Sequence, residues 1–357
     1  MKPWFGEEER LAVDDYMKSG GFITEFKKTQ EFEQHLASYT GAKYCVATNN
    51  GTVALTLAAL ACGIKAGDEV IVPNYTMIAT ASSLVLIGAK PVFVDVEPST
   101  LCLDLKLVRR FLTPKTKAII LVAANGRSPS YGVEAIKRLC QEKGLIFLED
   151  AAQALGSRHA NGLHVGRSGL AGTFSFSTPK IISTGQGGAV ITDDPEINAR
   201  MRKLKDFGRL TAGTDVHDVV GYNFKFTDIQ ACIGLAQIKK LEDRIAKKKH
   251  IYERYQDGLQ NIPDVRLIKN DISITSPWFV EIITNQRSAL KSFLEINSIG
   301  SRVMYPPLNQ QGAFGIPGEY PISEYIGKSG LWLPSFSQLT DEQISKVCNT
   351  IGKFFGS

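Results

Sequence analysis

No two of the six cysteines, Cys45, Cys62, Cys102, Cys140, Cys232 and Cys348, stand close enough to form a CxxC pair. That absence speaks against a zinc site and a disulfide framework, and the thiols read as small buried hydrophobes of a reducing compartment. Long apolar runs are missing too, so no membrane-spanning segment and no membrane partner are expected. The opening MKPWFGEEER lacks the apolar core of a secretory signal, which makes the cytoplasm the expected location. Charge of one sign is scarce. The net charge is +5 and AKKKH, from Ala246 to His250, is the one basic cluster, a solvated helix face; no nucleic-acid partner is expected. His159 and His164 fit neither a zinc-binding helix nor a knuckle, and no metal is expected. No GxxxxGK[ST] loop and no GxSxG elbow occurs. Gly185-Gln186-Gly187-Gly188 looks like part of a dinucleotide fingerprint, but a strand-like run follows it where that fingerprint needs a helix.

What remains is an ordinary globular composition, 43% hydrophobic and 22% charged over 357 residues, enough for one large domain and a smaller one. The apolar runs EVIVP (ending at Pro73), KPVFVDV (Lys90 to Val96), KAIILVAA (Lys117 to Ala124) and GLIFLED (ending at Asp150) alternate with helical patterns. Short, continuously apolar strands between helices predict an α/β fold whose mostly parallel sheet is covered on both faces. GTFSFS and GGAVITDD add two strands around a lysine-bearing loop. One long helical pattern runs from Thr227 to Leu259, and Asn261-Ile262-Pro263 breaks it. Beyond the break VRLIK, WFVEIIT and LWLP read as strands of a smaller α+β domain. The expected division is a large domain over residues 1–240 and a small one over 241–357.

Three places carry candidate chemistry. NNGTVAL starts an apolar helix with Gly51 and Thr52, where unpaired N–H groups and the helix dipole suit a phosphate; a plain helix cap by Asn50 or Thr52 explains the pattern as well. Asp150 ends a buried strand, where parallel sheets gather ligands, and its carboxylate could hold a protonated pyridine nitrogen; capping of a following helix is the equal alternative. Lys180 follows another strand among Ser175, Ser177, Thr178, Ser183 and Thr184. A desolvated amine there could condense with a carbonyl, although an isolated loop lysine is usually a surface charge. Together the three supply a phosphate cradle, a ring-nitrogen partner and an aldehyde-binding amine, the needs of pyridoxal 5′-phosphate (PLP).

With GDEVIVPNYTMIATASSLVLIGAKPVFVDVEPSTLCLD, EDAAQALGS, SFSTPKIISTGQGGAV, GYNFKFTDIQACIGLAQ and LPSFSQLTDEQI in this order, the sequence resembles the DegT/DnrJ/StrS family of sugar aminotransferases, which are fold-type-I PLP enzymes. The resemblance implies a three-layer large domain plus a smaller C-terminal α+β domain. By position, Lys180 matches the lysine that attaches to the cofactor and shuttles protons, and Asp150 the aspartate facing the pyridine nitrogen. Gln153 matches the glutamine near the ring hydroxyl, and Gly51, Thr52 and Ser175 the phosphate-binding positions. Asn223 matches an asparagine reaching the phosphate from a neighbouring subunit, which implies a homodimer with shared active sites. The implied reaction takes an amino group from glutamate and delivers it to a keto sugar on a nucleotide diphosphate. Relatives that dehydrate instead carry histidine at the lysine position.

Several positions depart from the family pattern. Met77 stands where a ring-stacking aromatic is usual, with Tyr75 as a possible substitute. Gln186 replaces a glutamate, Leu170 an acidic residue, Ala123 and Asn125 a histidine and a tyrosine, and Asn309 a substrate-side histidine. Arg127, Lys225 and Arg302 are candidates for the diphosphate, since arginine forks donate paired hydrogen bonds. The expected activity is PLP-dependent amination of a nucleotide-linked 4-keto-6-deoxy sugar, giving a 4-amino sugar of the viosamine or perosamine kind. Amination at C3, dehydration, or a non-catalytic regulator on the same scaffold are the alternatives.

Overall fold

The computed structural model describes residues 4–211 and 213–356. Seven strands form the main sheet: β1 (Tyr44–Thr48), β2 (Glu69–Pro73), β3 (Lys90–Val94), β4 (Thr116–Val122), β5 (Ile146–Asp150), β6 (Ala171–Ser175) and β7 (Gly188–Thr192). Their spatial order is β1-β7-β6-β5-β4-β2-β3. β7 is antiparallel to both neighbours and every other pair is parallel, so β7 alone runs against the rest.

The helices are α1 (Glu7–Lys18), α2 (Lys27–Thr40), α3 (Gly51–Ala61), α4 (Ala79–Val85), α5 (Leu105–Phe111), α6 (Val133–Lys143), α7 (Pro195–Lys205), α8 (Asp228–Ile238), α9 (Leu241–Leu259), α10 (Arg287–Ile296), α11 (Pro321–Ser329) and α12 (Asp341–Phe355). The sheet is buried on both sides because alternate residues of each strand face different helices. Val70 and Val72 pack with α3, α4 and α7, whereas Ile71 packs with α5 and α6. Phe174, Ala189 and Ile191 meet α2 and α8. This is the α/β fold with a mostly parallel sheet covered on both faces that the apolar runs predict, and the three-layer arrangement that the resemblance implies.

A second sheet, β10-β11-β9-β8, is antiparallel throughout and comprises β8 (Arg266–Leu267), β9 (Val280–Ile283), β10 (Arg302–Val303) and β11 (Gly330–Leu333). Its core joins Ile251, Tyr255 and Leu259 of α9 to α10 and α12, while Leu241 and Ile245 at the other end of α9 pack under the main sheet.

The helical pattern from Thr227 to Leu259 is two helices, not one. Lys240 leaves helical geometry at φ −98, ψ 2, and its ammonium bonds Glu8 and Glu9 of α1. α8 is nearly all apolar and buried, α9 is amphipathic and charged, and a bend lets each bury its own face.

α2 has no cap of its own, since Phe26 stands at its N-cap. Asp228, from the first turn of α8, does that work across the fold. Its carboxylate accepts from the N–H groups of Phe26 (2.8 Å), Lys28 (2.9 Å) and Thr29 (2.9 Å), and from Tyr16 Oη (2.8 Å). Burial pushes its pKa up, but these donors outweigh burial and hold it below the usual carboxylate value. We expect Asp228→Ala to lower stability by about 3 kcal/mol in urea unfolding, because three N–H groups lose their acceptor. The sign in acid follows. A folded pKa below the unfolded one stabilises above the unfolded value, and this contribution disappears as pH falls through the folded value. The variant should therefore approach the parent's stability in acid; a constant gap across pH would contradict the assignment.

Candidate active site

The chemistry-bearing residues collect at the carboxyl ends of β2, β5 and β6 and at the start of α3, as parallel sheets dictate. Asn50 caps α3 by accepting from Val53 N (2.9 Å), leaving the N–H groups of Gly51 and Thr52 without an intrahelical acceptor. A side chain at Gly51 would put its Cβ 2.8 Å from Ser175 Cβ, so only glycine lets the helix start press against the end of β6. The Ser175 hydroxyl has only long contacts with Ser177, at 3.4 and 3.5 Å, and stays available beside those N–H groups. Gly188 has the same role on the other side, where a Cβ would lie 2.5 Å from Asn50 O. Gly188, the last glycine of the cluster after Lys180, thus serves close packing of β7 on the α3 start.

Asp150 is buried at the end of β5. One carboxylate oxygen accepts from Thr80 Oγ1 (2.8 Å) and the other from Ala152 N (3.1 Å). Turns, not a helix, follow it, so the helix-cap explanation falls. Burial raises its pKa, against the pull of Thr80, Ala152 and the Lys180 charge. Lys180 is half-buried and its Nζ lies 4.0 Å from the centre of the Trp278 ring. Desolvation pushes the amine down to about 8, with the Asp150 charge acting the other way. Trp278 is itself fixed by donating from Nε1 to Pro179 O at 2.8 Å. Gln153, Ser175, Lys180 and Trp278 line one narrow cavity.

Other predicted residues are placed differently. Met77 is 46% exposed, whereas Tyr75 is buried in the core with Val96, Trp278 and Met304 and its hydroxyl has no partner among the described residues. Arg127 is buried and paired with Glu281 (2.6 Å), and its Nε donates to Thr100 O (2.7 Å), so it links the two sheets and does not face an opening. Asn309 is buried in a reciprocal pair with Asn74, two bonds of 2.9 Å. Lys225 is bonded to Asp206 (2.7 Å). Arg302 is exposed, its guanidinium 5.5 Å from the Trp332 ring, at the rim of a cleft of about 450 Å³ that Phe279, Trp332 and Phe336 also line. Asn223 is exposed on the segment between α7 and α8.

Sequence reasoning missed Thr80, Trp278 and Lys248. Lys248 is a buried lysine whose Nζ donates to Ser335 O, whose pKa burial lowers to about 7, and which shares a cavity of about 50 Å³ with Lys180 and Arg244. None of the three carries a local motif. No cluster of three or more His, Cys, Asp or Glu side chains suited to a metal occurs among the described residues.

Residues 3–352 match the DegT/DnrJ/EryC1/StrS aminotransferase family. The chain is 34% identical over 362 residues to the GDP-perosamine synthase of Vibrio cholerae, covering 99% of this chain and 98% of that protein. It is 32% identical over 344 residues to the UDP-2-acetamido-2-deoxy-3-oxo-D-glucuronate aminotransferase of Pseudomonas aeruginosa, covering 94% and 93%. The X-ray structure of S. venezuelae DesV in complex with a ketimine intermediate matches with a TM-score of 0.92 at 29% identity, over 98% of this chain and 95% of that one. By sequence along almost its whole length and by its fold-type-I architecture, the chain belongs to the DegT/DnrJ/EryC1/StrS aminotransferase family.

Proposed function

We propose that the protein is a PLP-dependent aminotransferase that moves an amino group from glutamate to a nucleotide-linked 4-keto-6-deoxy sugar. One observation carries the reading: a desolvated lysine, a buried carboxylate and a helix start pressed onto a free serine hydroxyl converge at the strand ends. These residues fit PLP. Gly51, Thr52 and Ser175 would hold its phosphate, Asp150 its ring nitrogen, Gln153 its hydroxyl and Lys180 its aldehyde. When bound, the group supplies an electron sink and a carrier for nitrogen between the two half-reactions.

The chain's own contribution starts with Lys180. With a pKa of about 8, roughly a quarter of the amine is free at pH 7.5, against about one in a thousand for an ordinary lysine. Once displaced by the amino donor, Lys180 Nζ would take the proton from the donor carbon bearing the amine and release it to the cofactor within the same half-reaction; in the second half-reaction it would carry a proton the opposite way, onto the sugar carbon. Asp150, held by Thr80 and Ala152, would present its charge to the ring nitrogen without needing to move. Capture of PLP by the cofactor-free protein is expected to rise with pH about a midpoint near 8; a midpoint near 10.5, the ordinary lysine value, would count against a desolvated Lys180.

The 4-keto assignment rests on the perosamine synthase likeness. Amination at C3 is the second reading, favoured by the similar likeness to a 3-oxo sugar aminotransferase. A dehydratase is disfavoured by the lysine at position 180. A second copy of the chain is proposed to cover the exposed apolar residues around Asn223, including Val219, Val220 (81% exposed) and Tyr222, and so to complete the phosphate site; the proposed compartment is the cytoplasm. The test is incubation with PLP, glutamate and nucleotide-linked 4-keto and 3-keto sugars, read by mass spectrometry. An amino sugar from the 4-keto substrate supports the proposal, product from the 3-keto substrate alone moves it to C3, and no amino sugar from either overturns it.

A further inference from the structure

We propose that Asn125 is a positioning residue that couples Gln153, beside the candidate ring site, to Trp278, the aromatic wall over Lys180. This rests on the reading of Lys180 as the aldehyde-binding amine. Asn125 follows β4 with φ 55, ψ 29, a left-handed conformation that asparagine tolerates better than most side chains. That turn aims its backbone N–H at Gln153 Oε1, 2.7 Å away. An N–H can bond only the oxygen end of the amide, so the Gln153 NH₂ is left as the free donor.

The Asn125 side chain faces the other way and grips both main-chain polar groups of one residue, Phe279, just before β9. Its Oδ1 accepts from Phe279 N (2.6 Å), and its Nδ2 donates to Phe279 O (2.8 Å) and to Glu281 Oε2 (3.0 Å). Glu281 is held in turn by Arg127 Nη1 (2.6 Å) and Trp332 Nε1 (3.2 Å). Phe279 directly follows Trp278, so the N–H held by Asn125 Oδ1 belongs to the peptide that joins the two and helps set where the indole lies. All of these side chains except Gln153 are buried, so any bond lost there leaves a desolvated polar group, and the network holds as a unit. Among the described residues, Asn125 is therefore the one point at which the turn after β4, the glutamine after β5 and the segment entering β9 share hydrogen bonds. It also gives Arg127 a role: its charge offsets Glu281 and keeps the clamp neutral.

The test uses the cofactor-free protein. Trace acetic anhydride labels amines in a pH series, and Lys180 acetylation is quantified by peptide mass spectrometry. The parent midpoint is expected at about 8. Asn125→Gly keeps the left-handed turn and the N–H to Gln153 but removes the clamp. It should raise the midpoint by about one pH unit, a roughly tenfold loss of free amine at a given pH, because Trp278 no longer screens the ammonium from water. Asn125→Ser, which keeps a hydroxyl in the turn, should shift it less and in the same direction, and serves if the glycine variant does not fold. A folded variant of either kind that labels at Lys180 as the parent does overturns the coupling. PLP uptake by the parent is measured separately, so failure of the proposed function shows as no uptake while the labelling still judges the coupling.

Discussion

Lys180→Ala is expected to abolish PLP attachment and to lower turnover on the order of 10⁵-fold or more, the scale seen when a reacting nucleophile is deleted. On the proposed function two tasks would fall on this one amine, attachment of the aldehyde and movement of the proton, and no neighbour is placed to take both. Lys248 shares a cavity with Lys180, but its Nζ is engaged with Ser335 O on a helix of the other core. The loop itself should survive, because Lys180 N donates to Ser177 O (2.9 Å) whatever the side chain is. Thermal unfolding of the cofactor-free variant should therefore match the parent or exceed it, since a partly desolvated ammonium is removed. Absorbance of the PLP-loaded protein and single-turnover product analysis read the result; a variant that retains parental turnover would remove Lys180 from the mechanism.

Asp150→Asn is expected to show the opposite signs of stability and activity in one residue. Turnover should fall on the order of 10³-fold, the scale of losing one preorganised electrostatic partner. Asparagine's oxygen can still accept from Ala152 N while its NH₂ donates to the Thr80 hydroxyl, which can also accept, so the site's geometry survives while the charge proposed to face the ring nitrogen is lost. In the cofactor-free protein the change should stabilise. Burial raises the Asp150 pKa above its unfolded value, so its contribution is most favourable below the unfolded pKa and is lost as pH rises through the folded one. At neutral pH the carboxylate is therefore a cost, kept for function and relieved by the amide. Melting curves over pH check this: the gap between variant and parent should shrink in acid, and a destabilised variant at neutral pH would sink the argument.

How much of this was legible follows from where each signal lies. Gly51, Ser175, Asp150 and Lys180 sit at the ends of short apolar runs, and strand ends can be located from sequence because burial on both faces imposes continuous hydrophobicity. The split at Lys240 was not legible, since both helices satisfy the same local propensities and the bend depends on Glu8 and Glu9 at the far end of the chain. Arg127 and Asn309 looked like candidate substrate contacts because an arginine or an asparagine shows its chemistry in the sequence but not its partner. Glu281 and Asn74 occupy them. Trp278 had no signal at all: it lies outside β9, and its place over Lys180 comes from the Asn125 clamp and the bond to Pro179.

The α/β architecture, the family, and the order of Gly51, Asp150 and Lys180 at the strand ends could be read from the amino-acid sequence alone, because periodicity and motif spacing are local properties. Only the tertiary structure decided which charges are free to act and which are neutralised. Arg302 remains open while Arg127 is buried, and Lys180 is desolvated while Lys225 is paired. The availability of a charge depends on water and on partners brought from distant segments, and neither is encoded at the residue itself.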